Sequence, residues 1–419
     1  MKASAILPVC LGLVLAGPAL AQHSFDTTGF LALRGGWVEG PSAWIEGGFG
    51  RFQVGAEGPG NSTGWARGEG QLGIQWEHGA SWTGHLHLMG RAEDSDARGR
   101  QLGFTEAWVQ HQTAVGQRSE LFTRAGLFFY PSSMENSDPL WGSPYTLSYS
   151  AINSWIGEEF RPLGIDLRWR HFARSDHIYS VAATVFGGND TMGTLLAWRG
   201  WTLHDRLSVF DEPLPLPPVF SLEPDEVFGA QRPFTSTAFG SDLDGRPGWA
   251  LRARISKARD YQAQLAWVDN RGDRGLHGDE YAWHTRFWLA GASWQASPQI
   301  ELLGELTSGT TTMNYPGMPW VDADFDAAYL MASTQTGHGR WSLRYDRFRL
   351  EDRLQVADWG LFDDSGYAWT LAWIHSLSDR SRLAAELVWL SADRPVAAQS
   401  GFAKDASGSM LSLEWRWRF

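Results

Sequence analysis

The sequence predicts an all-β protein: one closed antiparallel barrel that crosses a membrane. Segments of about ten residues with alternating polar and apolar side chains recur along the chain, as is typical of membrane-crossing strands. After residue 21, no apolar run approaches the roughly 20 residues that a spanning helix needs. The chain of 419 residues contains 24 tryptophans, a residue type that prefers the membrane–water interface.

The first 21 residues, MKASAILPVCLGLVLAGPALA, have the parts of a secretory signal peptide. Lys2 supplies the basic region, an apolar stretch follows, and Ala19, Leu20 and Ala21 form a small-residue cleavage site. We expect cleavage after Ala21, which leaves residues 22–419 as a single barrel domain. That part would lack the only cysteine and carry 34 basic against 47 acidic residues, a net charge of −13. Such a charge argues against nucleic acid as a partner.

The predicted strands show a period of two. In GIDLRWRHF, Leu167 and Trp169 alternate with Arg168 and Arg170. Short turns such as SKARDY alternate with long Gly- and Asp-rich connections, and this asymmetry of the two rims is typical of outer-membrane barrels. About seventeen spanning segments can be counted, and because such barrels have an even number of strands we expect 16, with 18 as the alternative. At about 22–25 residues per strand and connection, the length fits either number.

The long connections are assigned to the outer rim by strand parity. We expect outer loops at 270–280, 309–324, 351–364 and 392–407. Residues 130–163 are too long for a simple connection, and long ordered loops are more often functional than incidental. Residues 187–247 contain several prolines, which disfavour ladder pairing, and are expected to cover the outer mouth. Within them, GTLLAWRGW (193–201) looks like a strand but has the wrong parity.

The last strand, LSLEWRWRF, places three aromatic side chains on one face: Trp415, Trp417 and Phe419. With the signal peptide, the alternating strands and the unequal rims, this ending resembles the Gram-negative outer-membrane porins. The resemblance covers the barrel but is architectural and identifies no subfamily. It implies a solute channel in the outer membrane, in contact with lipid and lipopolysaccharide, and either monomeric or a homotrimer. The three terminal aromatics would be the signal read by the barrel-assembly machinery.

If the Trp and Leu faces contact lipid, the opposite faces line the pore. This would place His85, His87, His284 and six arginines inside: Arg168, Arg170, Arg252, Arg254, Arg286 and Arg344. In the porins that the chain resembles, an inward loop sets carboxylates against such arginines. By that resemblance, residues 130–163 would fold into the lumen and supply Glu135, Asp138, Glu158 and Glu159. A narrow passage with low-dielectric walls focuses the field of such charges. We therefore expect passive diffusion of small hydrophilic solutes, with anions or zwitterions preferred. Alternatively, these charges only neutralise one another in salt bridges.

Three other functions stay open: an export barrel, a structural barrel and an outer-membrane hydrolase. A hydrolase needs a nucleophile or base oriented by neighbouring polar groups. Asp269, Asp273, His277 and Asp279 do cluster in the predicted outer loop, but a solvated polar loop explains them equally well. We therefore expect no enzymatic activity, no catalytic residue, no cofactor and no metal site.

Overall fold

The structure, a computed structural model, describes residues 23–92, 99–232, 234–258, 260–315, 318–356 and 362–419. The predicted signal peptide lies outside these residues. Sixteen antiparallel strands form a closed barrel, so the predicted count of 16 is confirmed and the alternative of 18 is wrong. The strands are β1 (His23–Gly40), β2 (Gly58–His78), β3 (Trp82–Ala92), β4 (Leu102–Ala114), β5 (Ser119–Leu127), β6 (Leu163–Phe172), β7 (His177–Gly187), β8 (Gly248–Lys257), β9 (Tyr261–Asp269), β10 (His284–Gln295), β11 (Ile300–Tyr315), β12 (Met318–Thr336), β13 (Gly339–Asp352), β14 (Asp364–Ser376), β15 (Ser381–Asp393) and β16 (Gly408–Arg418).

The barrel closes between its first and last strands. Gly29 of β1 and Phe419 exchange both backbone hydrogen bonds, at 3.0 and 3.1 Å, and β1 pairs with β16 from Phe30 to Glu39. Each strand therefore has two neighbours and no edge is left unpaired, the condition for crossing hydrocarbon. Gly36 fits this seam because a Cβ there would lie 1.8 Å from a carbonyl oxygen of β16.

The alternation in sequence gives the strands an apolar, exposed outer face and a largely buried inner face that points into the barrel. On β6, Leu167 and Trp169 face outward, while Asp166 points into the barrel and is buried. Trp415 and Trp417 of β16, and Phe419 directly after it, are likewise outward and exposed. An apolar belt of this kind requires lipid around it, because open water would leave it unburied.

The two rims differ as predicted. Connections of two to four residues join the strands at one end, which we call the periplasmic end. Most outer connections are long, and three of the predicted ones correspond to residues 270–283, 353–363 and 394–407. The predicted outer loop at 309–324 is wrong, because β11 and β12 continue through most of it. Their period of two persists there with polar residues on the outward face, so this hairpin extends beyond its neighbours.

The helices are short and lie in the outer connections. They are α1 (Ala151–Glu159), α2 (Thr194–Arg199) and α3 (Pro395–Gln399). The strand-like segment 193–201 is thus largely helical, consistent with its wrong parity. In the part of the chain that the structure describes, no helix is long and apolar enough to span a membrane.

The hydrophobic core lies inside the barrel. Three outer connections fold into the lumen: residues 41–57, 128–162 and 188–247, which we call the plug. Trp44, Trp198 and Trp201 of the plug are fully buried among lumen-facing wall residues. The 187–247 excursion, expected to cover the outer mouth, also enters the lumen, since residues 188–209 are buried. A protein interior, and not water, fills much of the outer half of this barrel.

Candidate functional site

Arg344 on β13 holds the 128–162 segment against the barrel wall. Its fully buried guanidinium lies 3.1 Å from Glu135 of the segment and 2.7 Å from Asp346 of its own strand. It also donates to two backbone carbonyls of the segment, at 2.8 and 2.9 Å. Glu386 on β15 accepts two further backbone N–H groups of the segment. These contacts fix the segment because removing one partner would leave an uncompensated buried charge.

Helix α1 forms inside this segment. Its N-cap is Ser150, whose side chain accepts a hydrogen bond from the backbone N–H of Asn153 at 3.2 Å. All nine helical residues are buried, and the helix lies against β11, β12 and β13. Trp155 packs edge-on against Phe287 and Phe325, with ring centroids 5.0 and 5.2 Å apart. The plug is therefore packed against the wall as a core and does not hang free in water.

Helix α2 is short, yet buried charges neutralise both of its ends. The carboxylate of Glu159 accepts hydrogen bonds from three N–H groups at its start, the nearest at 2.8 Å. Arg394 and Arg51, both fully buried, donate to carbonyls at its end over 2.7 to 3.0 Å. These signs match the helix dipole. Burial raises the pKa of Glu159 to about 7, even though these donors favour its ionised form.

A second buried cluster joins the three segments of the plug. Glu158 forms an ion pair with Arg199, and His204 lies 3.3 Å from the same carboxylate. Arg199 also lies over the ring of Trp44, 4.2 Å from its centroid. Burial alone would raise the pKa of Glu158, but Arg199 and His204 hold it at about 2. The plug segments are thus bound to each other as well as to the wall.

The plug is also tied to the seam where the barrel closes. Asp205 of the plug forms ion pairs with Arg34 on β1 and Arg67 on β2. Arg34 lies 2.6 Å from Glu414 on β16. At the other extreme, Asp138 lies 3.1 Å from Arg418, close to the periplasmic end of β16. The plug therefore reaches from the outer rim almost to the periplasmic end of this wall.

Little space remains between the plug and this wall. Two cavities there measure about 20 and 10 Å³, room for no more than a water molecule. A vestibule of about 330 Å³ lies at the periplasmic end, where Arg340, Arg382 and Arg418 contribute to its lining. In the described residues, the arrangement along this wall is that of a closed lumen with a wet periplasmic vestibule.

Strands β5 to β8 carry a different set of inward side chains, which we call the arginine wall: Arg124, Arg168, Arg170, Arg252 and Arg254. Aromatic rings cover several of these guanidinium planes: Arg124 lies 4.1 Å above Trp108, and Arg168 lies 4.2 Å above Phe122. Arg252 and Arg254 donate to the Pro131 carbonyl of the plug at 3.2 and 3.1 Å. Stacking of this kind leaves the N–H edges of the guanidiniums available to acceptors.

Carboxylates are scarce on this wall. Glu120 pairs with Arg170 at 2.5 Å, and Asp166 accepts a hydrogen bond from Thr184 at 2.7 Å. Arg168 has no ion-pair or hydrogen-bond partner among the described residues. On β5 to β8, all of which are described, five arginines thus face two carboxylates. These four strands have excess positive charge, although Glu106 on the adjoining β4 also lies near Arg124. On the opposite side, Arg344 and Arg382 are paired with Asp346 and Glu414.

The predicted loop carboxylates do not face the arginine wall. Glu135 does meet Arg344, but Glu158 and Glu159 bind partners inside the plug, and Asp138 binds Arg418. The predicted opposition of the four carboxylates to six arginines is therefore wrong except for one pair.

Arg286 is wrong as a lumen residue, because on β10 it shares the outward face with Trp288. His284 lies on that face too and bonds to Asp269 at 3.0 Å. The prediction took apolar side chains to be lipid-facing throughout. At this height the plug fills the lumen, so inward residues such as Phe287 are also apolar.

The sequence patterns do not indicate several arginines that the structure places in the arginine wall, the plug and the outer loops. Arg124 could have been found, because it alternates with Phe122 along β5 in SELFTRAGL. Arg51, Arg199 and Arg394 could not, since the plug and the outer loops have no period that relates them to a face.

A cluster of three aspartates among the described residues has the spacing needed to hold a cation. Asp190, Asp242 and Asp244 bring carboxylate oxygens within 4.8 Å of one another at the base of the 188–247 segment. Asp190 already accepts hydrogen bonds from two backbone N–H groups, and burial raises its pKa to about 6. The hydrogen bonds within the cluster account for its geometry without an ion.

No family model matches the sequence, and no curated protein matches it. Solved structures do match. The outer-membrane channel DcaP of Acinetobacter baumannii is similar at a TM-score of 0.55 and 10% identity, over 95% of this chain and 97% of that one. The anion-selective porin of Comamonas acidovorans is similar at a TM-score of 0.51 and 14% identity, over 95% of this chain and 100% of that one. The trimer form of OmpT of Vibrio cholerae is similar at a TM-score of 0.50 and 9% identity, over 95% of this chain and 99% of that one.

At these identities the similarity establishes the fold, which is that of the outer-membrane porins. A closed barrel of this fold with an apolar outer belt is located in the outer membrane. The predicted resemblance and location are thus confirmed at the level of the fold, and no subfamily is identified.

Proposed function

We propose that the protein is an outer-membrane channel through which small hydrophilic anions diffuse, and that the plug restricts this passage. The observation that carries the proposal is the arginine wall. On β5 to β8 five arginines face two carboxylates, and Arg168 has no ion-pair or hydrogen-bond partner in the part of the chain that the structure describes. In a low-dielectric lumen, unpaired guanidinium groups attract carboxylate and phosphate solutes. Downhill diffusion needs no cofactor and no catalytic residue.

The proposed path runs along the arginine wall, since the opposite wall is closed by the plug. The half-buried guanidiniums of Arg168, Arg170 and Arg254 are the groups expected to contact the solute. The anion-selective porin among the similar structures supports the anion preference by analogy of fold alone. We further propose a homotrimer, by analogy with the trimer form of OmpT, which chemical cross-linking of the protein in membranes would test.

The test is the reversal potential of the purified protein in a planar bilayer under a KCl gradient. We expect a potential with the sign of a chloride-permeable pore. The double substitution Arg168→Gln and Arg254→Gln should move it toward zero. Arg286→Gln removes an arginine from the outward face of the same barrel and should leave it unchanged. Cation selectivity in the native protein, or an equal effect of all the variants, would contradict the anion path.

A structural barrel is the second candidate, favoured by the filled outer half of the lumen. It predicts no conductance at any voltage, even after the plug has been loosened by substitution. A conductance that appears when the plug is loosened would exclude it and support the channel.

A further inference from the structure

Histidines are concentrated at the periplasmic end of the barrel, on its outward face. Six of the 12 histidines lie within three residues of a periplasmic strand end and point away from the lumen. We call them the histidine belt: His23, His78, His111, His171, His177 and His375. Five of the six lie on one arc, from β1 to β7, and the sixth is on β14.

Their outward orientation follows from register. His171 continues the lipid-facing series of Leu167 and Trp169 on β6, and His375 continues that of Leu371 and Trp373 on β14. Trp and Tyr at strand ends mark the level of the lipid headgroups. The imidazoles lie one step beyond those rings and therefore lie at headgroup depth.

Most of the belt stacks on these interfacial aromatics. The ring centroids of Trp169 and His171 are 5.5 Å apart, with 12° between the ring planes. Those of Trp373 and His375 are 5.6 Å apart, with 3° between the planes. Trp76 and His78 stack in the same way at 5.8 Å and 12°. Stacking covers the ring faces and leaves the ring edges, which carry the N–H groups, for polar partners in the interface.

The outer end of the barrel is built differently. Its outward face has fixed charges on the extended hairpin, such as Asp326, which lies 3.2 Å from Arg349. The outward histidine there, His284, is bonded to Asp269. The belt is thus specific to the leaflet that consists of phospholipid.

The groups facing the belt are mainly neutral. His171 bonds to the Ser119 hydroxyl at 2.9 Å and pairs across strands with Tyr179. His111 bonds to Thr113 at 3.2 Å, and His375 pairs with Leu383. His23 accepts a hydrogen bond from the indole of Trp76 and pairs across strands with His78. His177 forms hydrogen bonds with Ser175 and Tyr261 and pairs across strands with Lys257. Charged or titratable side chains in the adjoining turns are Arg118, Arg174, Asp176, Asp260, His338, Asp379 and Arg380, and Asp260 forms an ion pair with Lys257.

We propose that the histidine belt binds the phosphate headgroups of anionic phospholipids in the periplasmic leaflet, and does so more tightly as the pH falls. Imidazole ordinarily gains its charge between pH 8 and 5, and each cation close to an anionic membrane surface strengthens its attraction. Both ring nitrogens of His177 are already used, on Ser175 and Tyr261. A neutral imidazole whose ring nitrogen is open to the interface still donates an N–H, so that contact persists at neutral pH without the Coulombic part.

The test is native mass spectrometry of the folded protein in detergent, titrated with phosphatidylglycerol at pH 5.5 and pH 7.5. One cation near the surface contributes about 1 kcal/mol, so we expect phosphatidylglycerol to bind at least about fivefold tighter at pH 5.5. Zwitterionic phosphatidylcholine should show no such difference.

Two variants make the test specific. The triple substitution His111→Gln, His171→Gln and His375→Gln should lose most of the pH dependence. His284→Gln, at the opposite end of the outward face, should keep it. If the triple variant does not give a heat-modifiable barrel, His171→Gln and His375→Gln are measured singly, and each should reduce the difference. Equal binding at both pH values in the native protein would overturn the proposal, as would a triple variant or single variants that retain the full difference. Neither outcome bears on conduction.

Discussion

The substitution Arg344→Met tests whether buried ion pairs hold the plug. It removes the cation between Glu135 and Asp346 and fills the site with an apolar chain of similar length. Glu386 lies close enough to contribute to the same field. Three buried carboxylates would then be left without a cation, and the two backbone carbonyls bound by Arg344 would lose their donor.

Breaking a buried pair by removing one partner costs about 3–5 kcal/mol. Here the loss falls on the contact between plug and wall, because the backbone ladder of β13 to β12 and β14 does not involve the side chain. The equilibrium between closed and released 128–162 segment should shift by about a hundred- to several-thousand-fold. We therefore expect larger single-channel conductance and faster proteolysis within 128–162, with the barrel still heat-modifiable on gels.

Arg349→Met is the matched control. Arg349 is on the same strand, but it is 58% exposed and its pairs with Asp326 and Glu351 lie at the outward surface. Exposed pairs contribute about 0–1 kcal/mol, so conductance and proteolysis should stay unchanged. A further variant, Arg344→Met with Glu135→Met, removes both charges and should recover part of the native closure. If Arg344→Met behaves like its control, the ion pairs do not hold the plug.

Three other predictions concern the plug and the barrel terminus. Glu159 has a pKa of about 7 in the folded protein against 4.5 when free, so its contribution to plug stability is greatest at acidic pH and is lost as the pH rises to 7. The pKa difference corresponds to about 3 kcal/mol of plug stability. Glu159→Gln should therefore flatten the pH dependence of proteolysis within 188–247. Trp198→Ala removes a fully buried ring that contacts Phe228, Trp283 and Phe362, and should destabilise the outer plug by about 3–5 kcal/mol in hydrogen-exchange measurements without unfolding the barrel. Phe419→Ala should lower the yield of heat-modifiable barrel in cells more than Phe25→Ala, an outward aromatic at the same end; equal yields would contradict the assembly signal.

The strands and their rims could be predicted because alternation is a local property of the backbone. In β6 and β16 successive side chains point to opposite sides, so the sequence letters alone assign two faces. Which face is the lumen could be assigned only where the lumen is polar. On β10, Phe287 and Trp288 are both apolar, because one contacts the plug and the other lipid, and there the prediction failed for Arg286.

The sequence by itself determined an antiparallel barrel with unequal rims and an aromatic final strand, and it left the strand count between 16 and 18. Only the tertiary structure decided what fills the barrel and which charges meet. Arg344 and Glu135 are separated by 209 positions, and Arg51 and Asp364 by 313. Such pairs depend on the packing of long, aperiodic loops inside a closed wall. A local period carries no information about contacts at that separation.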